Sequence, residues 1–387
     1  MKSKKPIAII GGGFLGALMA LKLTTMGRKV ELFEAKTDIL LGATHLGEGK
    51  IHLGYTYGLA KATEIESFIQ SSLAFQRLIN GIFGYPLSFT NLVSSPFTYV
   101  VHRASLIKSS QFNSHYEMIN QRLIDDNSLD SYFGLPKEQI KDFKQCSEYE
   151  FRTPERAIDL ELFGELVKKE LYSRDNLLIH TNTKVASIDH SKKVTAIELN
   201  VGKKEKFEFV LNCTWQQINQ LDKYVFETLP TLNFRTKLYV SAKTNQSPTA
   251  ITHVLGKFGD LVNFPSGRLY ASHYESGLTS FRVEQFPTFV ERENLPRQLS
   301  DSHFGRVIEL YEDYFPWLSD LSTYITHERT VVAHGDTDID DFSSQLHFRS
   351  PFKIRRDYGY ISVLSYKFTY IPSTVAAVTD LMFADDT

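Results

Sequence analysis

The run Gly11-Gly12-Gly13-Phe14-Leu15-Gly16 constrains this chain more than any other feature, because it lies between an apolar strand and an apolar helix. Ile7-Ala8-Ile9-Ile10 contains no polar residue, as a strand covered on both faces requires. Gly11, Gly13 and Gly16 carry the Gly-x-Gly-x-x-Gly spacing. Ala17, Leu18, Ala20, Leu21 and Leu23 continue as a helix that Gly27 closes, and Lys29–Phe33 reads as a second strand ended by Glu34. That order predicts a dinucleotide-binding βαβ unit. Gly11 permits the tight turn, Gly13 lets backbone N–H groups approach a pyrophosphate, and Gly16 lets the helix pack closely on the strand. The positive end of the helix faces the phosphates. Glu34 follows Gly16 by 18 residues, close to the roughly 20-residue offset at which an acid takes the ribose hydroxyls. Three glycines alone are a weak signal; with both strands, the helix and the acid in order, the pattern is specific.

At 387 residues the chain can bury a large core and is expected to hold two interleaved domains. Its 43 basic and 45 acidic residues are mixed throughout, for a net charge of −2, so nothing marks a nucleic-acid or anionic-membrane surface. Cys146 and Cys213 are the only cysteines, too few for a disulfide framework or a thiolate metal site. Lys2, Lys4 and Lys5 ahead of an apolar stretch imitate a secretory signal, but three consecutive glycines and Lys22 interrupt it. No run of about 18 apolar residues occurs, so no membrane span is expected. The expected location is the cytoplasm.

Further along, Thr37–Gly58 is Gly- and Thr-rich and reads as a functional loop. A helix is predicted over Ala60–Ile82, with Ile65, Phe68, Ile69, Leu73, Phe75 and Ile79 on its buried side. Short mixed segments follow: a strand at Phe97–His102 and helices at Ser114–Leu123 and Leu135–Phe143. Leu160–Tyr172 is predicted helical. Leu177–His180, Thr183–His190, Val194–Asn200 and Lys206–Asn212 alternate as strands, the last with a buried core at Phe207–Leu211. Phe234–Ala242, Gly259–Phe264, Arg268–His273 and Thr279–Val283 suit an antiparallel sheet, with Pro265-Ser266-Gly267 as a hairpin turn. A helix at Leu299–Tyr314 follows. Tyr324–Ala333, Gly359–Leu364 and a helix over Pro372–Phe383 are expected to complete the nucleotide domain.

With these elements the sequence resembles the D-amino acid oxidase-type FAD-dependent oxidoreductase superfamily, which has a glutathione-reductase-like FAD domain. Four patches carry the resemblance. The first is the opening unit with Glu34. The second, Gly49-Lys50-Ile51-His52-Leu53-Gly54-Tyr55-Thr56-Tyr57, resembles the K-L-I-H-G-G-L-R-Y stretch of FAD glycerol-3-phosphate dehydrogenases and the G-V-I-H-x-G-I-Y-Y stretch of L-2-hydroxyglutarate dehydrogenases. The third is Glu155–Asp159 before a helix, then Val185 and a strand ending at Asn212-Cys213-Thr214. The fourth, Ser365-Tyr366-Lys367-Phe368-Thr369, resembles the G-G-K-x-T segment ahead of the last helix. Two departures stand out. Cys213-Thr214-Trp215 replaces the usual Ala-Gly, and Ser365-Tyr366 replaces two glycines that let backbone approach the flavin.

The resemblance implies an α/β fold in which a Rossmann-like FAD domain (1–85, 151–215 and 326–387) is interleaved with an α+β substrate domain on an antiparallel sheet (86–150 and 216–325). It implies FAD held by Gly11, Gly13, Phe14, Leu15, Gly16, Glu34, Ala35, Thr44, His45, Gly49, Lys50, Ile51, Val185, Cys213, Thr214, Trp215, Tyr366, Lys367, Phe368 and Thr369. His45 is either a covalent flavin attachment point or, more blandly, a loop histidine near the pyrophosphate. His52 is expected to act as base while hydride leaves the neighbouring carbon; the plainer alternative is a histidine satisfied by backbone. Lys367 would place positive charge near the pyrimidine end of the flavin, or face solvent. Tyr55, Tyr57 and Tyr270 are candidate pocket walls, and Arg268 and Arg329 candidate clamps for a carboxylate.

The expected activity is oxidation of a CH–OH or CH–NH carbon in a small polar substrate bearing a carboxylate or phosphate, with oxygen or another electron acceptor completing the cycle. Two alternatives remain from the residues: a non-catalytic protein of the same fold, with or without flavin, and an NAD(P)-dependent enzyme. Asp336, Asp338, Asp340 and Asp341 lack the spacing of a calcium loop, so no metal is expected.

Overall fold

The computed structural model describes residues 5–42, 47–126, 131–191, 194–199, 202, 204–288, 292, 294–333, 341, 343 and 352–384. β1 (Ile7–Ile10) is entirely buried and runs parallel to β2 (Val30–Phe33) on one side and to Val210–Asn212 on the other. Leu177–His180 extends this sheet beyond β2, while Tyr360–Ser365 and Phe352–Asp357 extend it beyond Val210–Asn212, giving six strands. Only Phe352–Asp357 is antiparallel to its neighbour. α1 (Phe14–Thr25) crosses from β1 to β2 and is buried on nearly every side. It packs on the sheet and against the helices Ala62–Phe83, Leu160–Tyr172 and Ile371–Phe383. That explains its lack of a polar stripe, since a helix enclosed by other elements has no solvent face.

The glycines fix the geometry at the end of β1. Gly11 has φ +102, and a Cβ there would sit 2.8 Å from the Cys213 carbonyl oxygen. A Cβ on Gly16 would lie 1.9 Å from the Gly11 carbonyl oxygen, so α1 rests directly on the strand.

A second sheet of eight strands is organised on Leu232–Lys243. This long strand pairs with Ile325–Ala333 along one edge, and with Leu278–Glu284 and Arg268–Ala271 along the other. Asp260–Asn263, Thr249–His253, Thr98–Val100 and Glu150–Arg152 continue it. All pairs are antiparallel except Thr249–His253 with Thr98–Val100. Val185–Ser191, Val194–Leu199 and Lys204–Phe207 form a separate antiparallel sheet. Leu160–Tyr172 is capped by Asp159, whose side chain accepts from the Glu161 N–H at 3.2 Å and also from the Ser266 hydroxyl. The helix is thereby tied to the 265–267 hairpin turn of the second sheet.

Several expectations are corrected. The strand expected to complete the nucleotide domain at Tyr324–Ala333 forms as Ile325–Ala333, but it pairs with Leu232–Lys243 in the eight-stranded sheet. The helix expected over Leu135–Phe143 shortens to Lys137–Ile140, and that over Ser114–Leu123 lengthens to Ser109–Asp125. Thr249–His253 and Phe352–Asp357 are strands the sequence reading did not mark. Among the described residues, no helix is long and apolar enough to cross a membrane.

Candidate active site

A cavity of about 950 Å³ opens beyond the carboxyl ends of the parallel strands and runs to the face of the eight-stranded sheet. Ligands of open parallel sheets bind at that end. Gly11, Gly13, Phe14, Leu15, Glu34, Ala35 and Val185 line one end of the cavity. Gly13 is the N-cap of α1, with no side-chain cap, and a Cβ built on it would meet nothing within 4 Å. The space in front of the helix N-terminus is therefore open to an anion. Glu34 is fixed at the tip of β2: Oε2 accepts the Gly12 N–H at 2.7 Å and Oε1 the Lys36 N–H at 2.8 Å. A carboxylate so held keeps lone pairs for further donors.

Gly49, Lys50, Cys213, Thr214 and Trp215 line the cavity farther along. Burial pushes the Cys213 thiol up to about 12, so it stays protonated. Trp215 adopts φ +52, a left-handed conformation uncommon for a bulky residue. With Tyr366 it packs on Ile218, Leu232, Phe234, Val332 and Leu364.

At the far end stand His52, Tyr57, Tyr239, Tyr270, Arg329, Lys367 and Phe368. The His52 Nε2 lies 3.3 Å from the Tyr57 hydroxyl, and its ring sits 5.7 Å from that of Phe68. Its backbone N–H donates to Thr369 Oγ1 at 2.9 Å, and its carbonyl accepts from the Ser72 hydroxyl. The Lys367 Nζ lies over the Tyr57 ring at 5.6 Å. Arg329 stands opposite Lys237 in the strand register and donates from Nη1 to the Glu328 carbonyl at 2.7 Å. Tyr239 and Tyr270 stack at 5.5 Å to form a wall.

Lys50 anchors a buried polar cluster. Its Nζ donates to Thr252 Oγ1 at 2.6 Å and pairs with Glu48 and Asp260, each at 2.7 Å. Burial opposes the Lys50 charge, but Asp260 and Glu48 outweigh it and raise the group. Burial and the Asp260 charge push Glu48 up to about 7, whereas Asp260 is held below the usual carboxylate range by Lys50 against its own burial. The ammonium–Asp260 pair is thus the firmly ionised one, with Glu48 able to change state near neutrality.

The profile of the FAD dependent oxidoreductase family (DAO) matches residues 6–348, most of the chain. The chain belongs to this family, and its cofactor is FAD. It is similar to the FAD-dependent monooxygenase kojA of Aspergillus flavus and to the probable FAD-dependent monooxygenase kojA of Aspergillus oryzae, at 28% identity over 218 residues in each case. That match covers 54% of this chain and 45% of each relative, so the chain spans about half the length of the curated relatives it matches. Over 98% of its length it also shares a fold with the L-alpha-glycerophosphate oxidase of Mycoplasma pneumoniae (TM-score 0.67, 16% identity, 94% of that chain). The glycine oxidase of Geobacillus kaustophilus is similar over 99% of this chain and 95% of its own (TM-score 0.66, 14% identity).

The cavity suits FAD on its own geometry. The open space at Gly13 would receive the diphosphate, with Glu34 near the ribose. Five residues expected at the cofactor or substrate take other positions. Gly16 and Ile51 do not line the cavity; Gly16 supports α1 against β1, and Ile51 is wholly buried. Thr369 lies beneath, bridging the His52 N–H and the Lys50 carbonyl. Tyr55 points into the core, where its hydroxyl donates to Asn120 Oδ1 at 2.5 Å and its ring meets Tyr99 and Tyr116. Arg268 is 2% exposed and also lies outside the cavity lining. Its Nη1 stands 3.6 Å from Asp159 and its Nη2 donates to the Gly47 carbonyl at 2.9 Å, which makes it an anchor. Thr44 and His45 lie outside the described residues, as do Asp336, Asp338 and Asp340. Among the described residues no cluster of metal-ligating side chains occurs.

The sequence reading missed Glu48, Thr252, Asp260, Arg235, Lys237 and Tyr239, all of which line the cavity. The last three were legible in principle. Spaced two apart on one strand, they must share a face. Nothing local connects Glu48 or Lys50 to Thr252 and Asp260, which come together only when the second sheet packs over the 47–50 segment.

Proposed function

We propose that this flavoenzyme is an oxidase or dehydrogenase that removes a hydride from a CH–OH or CH–NH carbon of a small anionic substrate, with oxygen or another acceptor taking the electrons onward. The observation that carries the reading is one continuous cavity lined both by the open anion cradle at Gly13 and by His52, Arg329, Lys237 and Arg235. Bound FAD supplies the two-electron acceptor for the hydride. His52 accepts the substrate O–H or N–H proton at Nε2, which faces the Tyr57 hydroxyl at the cavity wall. Arg329, with Lys237 across from it, holds the carboxylate or phosphate, because a guanidinium offers two parallel donors to either group. Tyr239 and Tyr270 position the rest of the substrate and shield it from water.

The names of the structural neighbours include a glycine oxidase and a glycerophosphate oxidase, so both CH–NH and CH–OH substrates belong to this proposal. So do the cytoplasmic location and the division into a cofactor unit on the six-stranded sheet and a substrate unit on the eight-stranded one. The non-catalytic alternative draws on Thr214-Trp215 and Ser365-Tyr366, which depart from the usual Ala-Gly and from the usual two glycines. The cavity of about 950 Å³ that persists beside them favours catalysis.

The test is anaerobic mixing of the purified yellow protein with a panel of 2-hydroxy acids, polyol phosphates and amino acids. Bleaching of the flavin by a member of the panel is expected. In His52→Ala the colour should persist while kcat/KM falls by roughly 10²-fold or more, the size of a lost general base. A protein that stays oxidised with every compound, or a His52→Ala variant with unchanged turnover, would refute the corresponding part.

A further inference from the structure

We infer that Glu155 is the positioning residue behind His52: it aims the imidazole into the cavity and stabilises the imidazolium formed when Nε2 takes the substrate proton. The inference rests on the reading of His52 as the base. Glu155 has no exposed surface and lies outside the cavity lining, so it touches neither substrate nor cofactor. Its Oε2 accepts the Leu53 N–H at 2.6 Å, which fixes the backbone immediately after His52. Its Oε1 accepts the Tyr99 hydroxyl and lies 3.8 Å from His52 Nδ1.

The two imidazole nitrogens therefore have different surroundings. Nδ1 faces a buried carboxylate, and Nε2 faces the Tyr57 hydroxyl at the cavity wall. The ring packs against the stacked pair Tyr57 and Phe68, and the Thr369 and Ser72 hydroxyls grip its backbone. In the proton transfer the substrate O–H or N–H bond breaks, its electron pair stays on the substrate oxygen or nitrogen, and a new N–H bond forms at Nε2. The positive charge that appears on the ring then lies beside the fully buried Glu155, where screening is weak. A carboxylate that orients a histidine through its far nitrogen is a general solution to this problem.

Other charges frame the pair. Lys50 lowers and Asp260 raises Glu155 through space, and burial is the largest influence, pushing it up to about 7. The hydroxyls of Tyr55 and Tyr132 are the further titratable groups that feel the Glu155 charge. Tyr57, with Lys367 over its ring, faces His52 from the cavity side. Lys50 is already engaged by Glu48, Asp260 and Thr252, so it is a fixed background charge.

A purely structural glutamate satisfied by Leu53 and Tyr99 would show the same hydrogen bonds, so the test needs a readout that this role leaves still. Glu155→Gln keeps the shape: its amide oxygen can serve Leu53 and its NH2 the Tyr99 oxygen. The pH profile of kcat/KM is measured on the flavin-loaded enzyme alongside flavin content and thermal stability, with the substrate found in the bleaching panel. Without the carboxylate His52 is a weaker base, so the acid limb should move down by about one pH unit. The plateau should fall by about 10- to 100-fold at full flavin content. If the limb stays in place, Glu155 is structural and the inference fails, even where stability or rate declines. If Glu155→Gln does not yield folded flavoprotein, Glu155→Asp takes its place, since it keeps the charge but withdraws it from Nδ1. Its limb should shift in the same direction, and an unmoved limb overturns the inference. His52→Ala run in parallel separates the two failures. A large rate loss in His52→Ala with an unmoved limb in Glu155→Gln removes only Glu155, whereas unchanged turnover in His52→Ala removes the base and this inference with it.

Discussion

Replacing Gly13 by valine should separate cofactor binding from folding. Gly13 has φ −68 and ψ 177, an extended conformation that valine adopts freely, and a Cβ there meets nothing within 4 Å. The apoprotein should therefore unfold within ~1 kcal/mol of the wild type, as expected for exchanges at an uncapped helix start. The diphosphate has only that open space in which to meet the amides of the first turn. Each charged hydrogen bond from such an amide contributes about 1.5–3 kcal/mol. Displacing the diphosphate from two of them removes ~3–6 kcal/mol, a loss of roughly 10²- to 10⁴-fold in FAD affinity. The assay is flavin absorbance per mole of purified protein, followed by FAD titration of the apoprotein and urea unfolding of both apo forms. Gly16→Val is the contrasting control. Its Cβ would start 1.9 Å from the Gly11 carbonyl oxygen, so helix and strand must separate and the chain should fail to fold. A fully flavinylated Gly13→Val protein, or one as unstable as Gly16→Val, would refute the reading of the cradle.

Arg268→Met should lower the unfolding free energy by ~3 kcal/mol while leaving KM unchanged, because it strands the buried Asp159 carboxylate; urea unfolding beside steady-state kinetics checks this, and a raised KM at unchanged stability would return Arg268 to the substrate. Burial holds His253 and His303 down to about 4, so the folded state needs both neutral. That stability is complete above the unfolded value near 6.5 and falls as pH drops toward 4. Glu48 and Glu155, raised to about 7, act in the opposite sense over the same range, so the histidine share must be read as a difference. Between pH 7.5 and 4.5 the wild type should lose ~2–3 kcal/mol relative to His303→Gln. Parallel pH dependences for the two proteins would rule this out.

Some elements were legible because their cause is local. Leu160–Tyr172 forms as expected, with Asp159 capping it and an apolar face repeating at helical spacing. The 265–267 turn was readable because Pro, Ser and Gly each favour a turn for local reasons. Ile325–Ala333 was recognisable as a strand, yet its sheet was not. A β-branched run states that it must pair but not with which partner. Tyr55 and Tyr57 show the same limit at the site. Only two residues apart, one enters the core beside Asn120 and the other faces the cavity beside His52.

The sequence by itself determined the βαβ unit, the placement of its three essential glycines and the acid at the tip of β2, because backbone conformation and close approach are properties of the residues at those positions. Only the tertiary structure decided that Arg268 is an anchor, that Lys50 shares a buried cluster with Asp260, and that Glu155 stands behind His52. Those relations join residues separated by about one hundred positions or more, between 103 and 210 along the chain. Burial and partner geometry, which come into being only when the two large sheets pack, set the chemistry of each group.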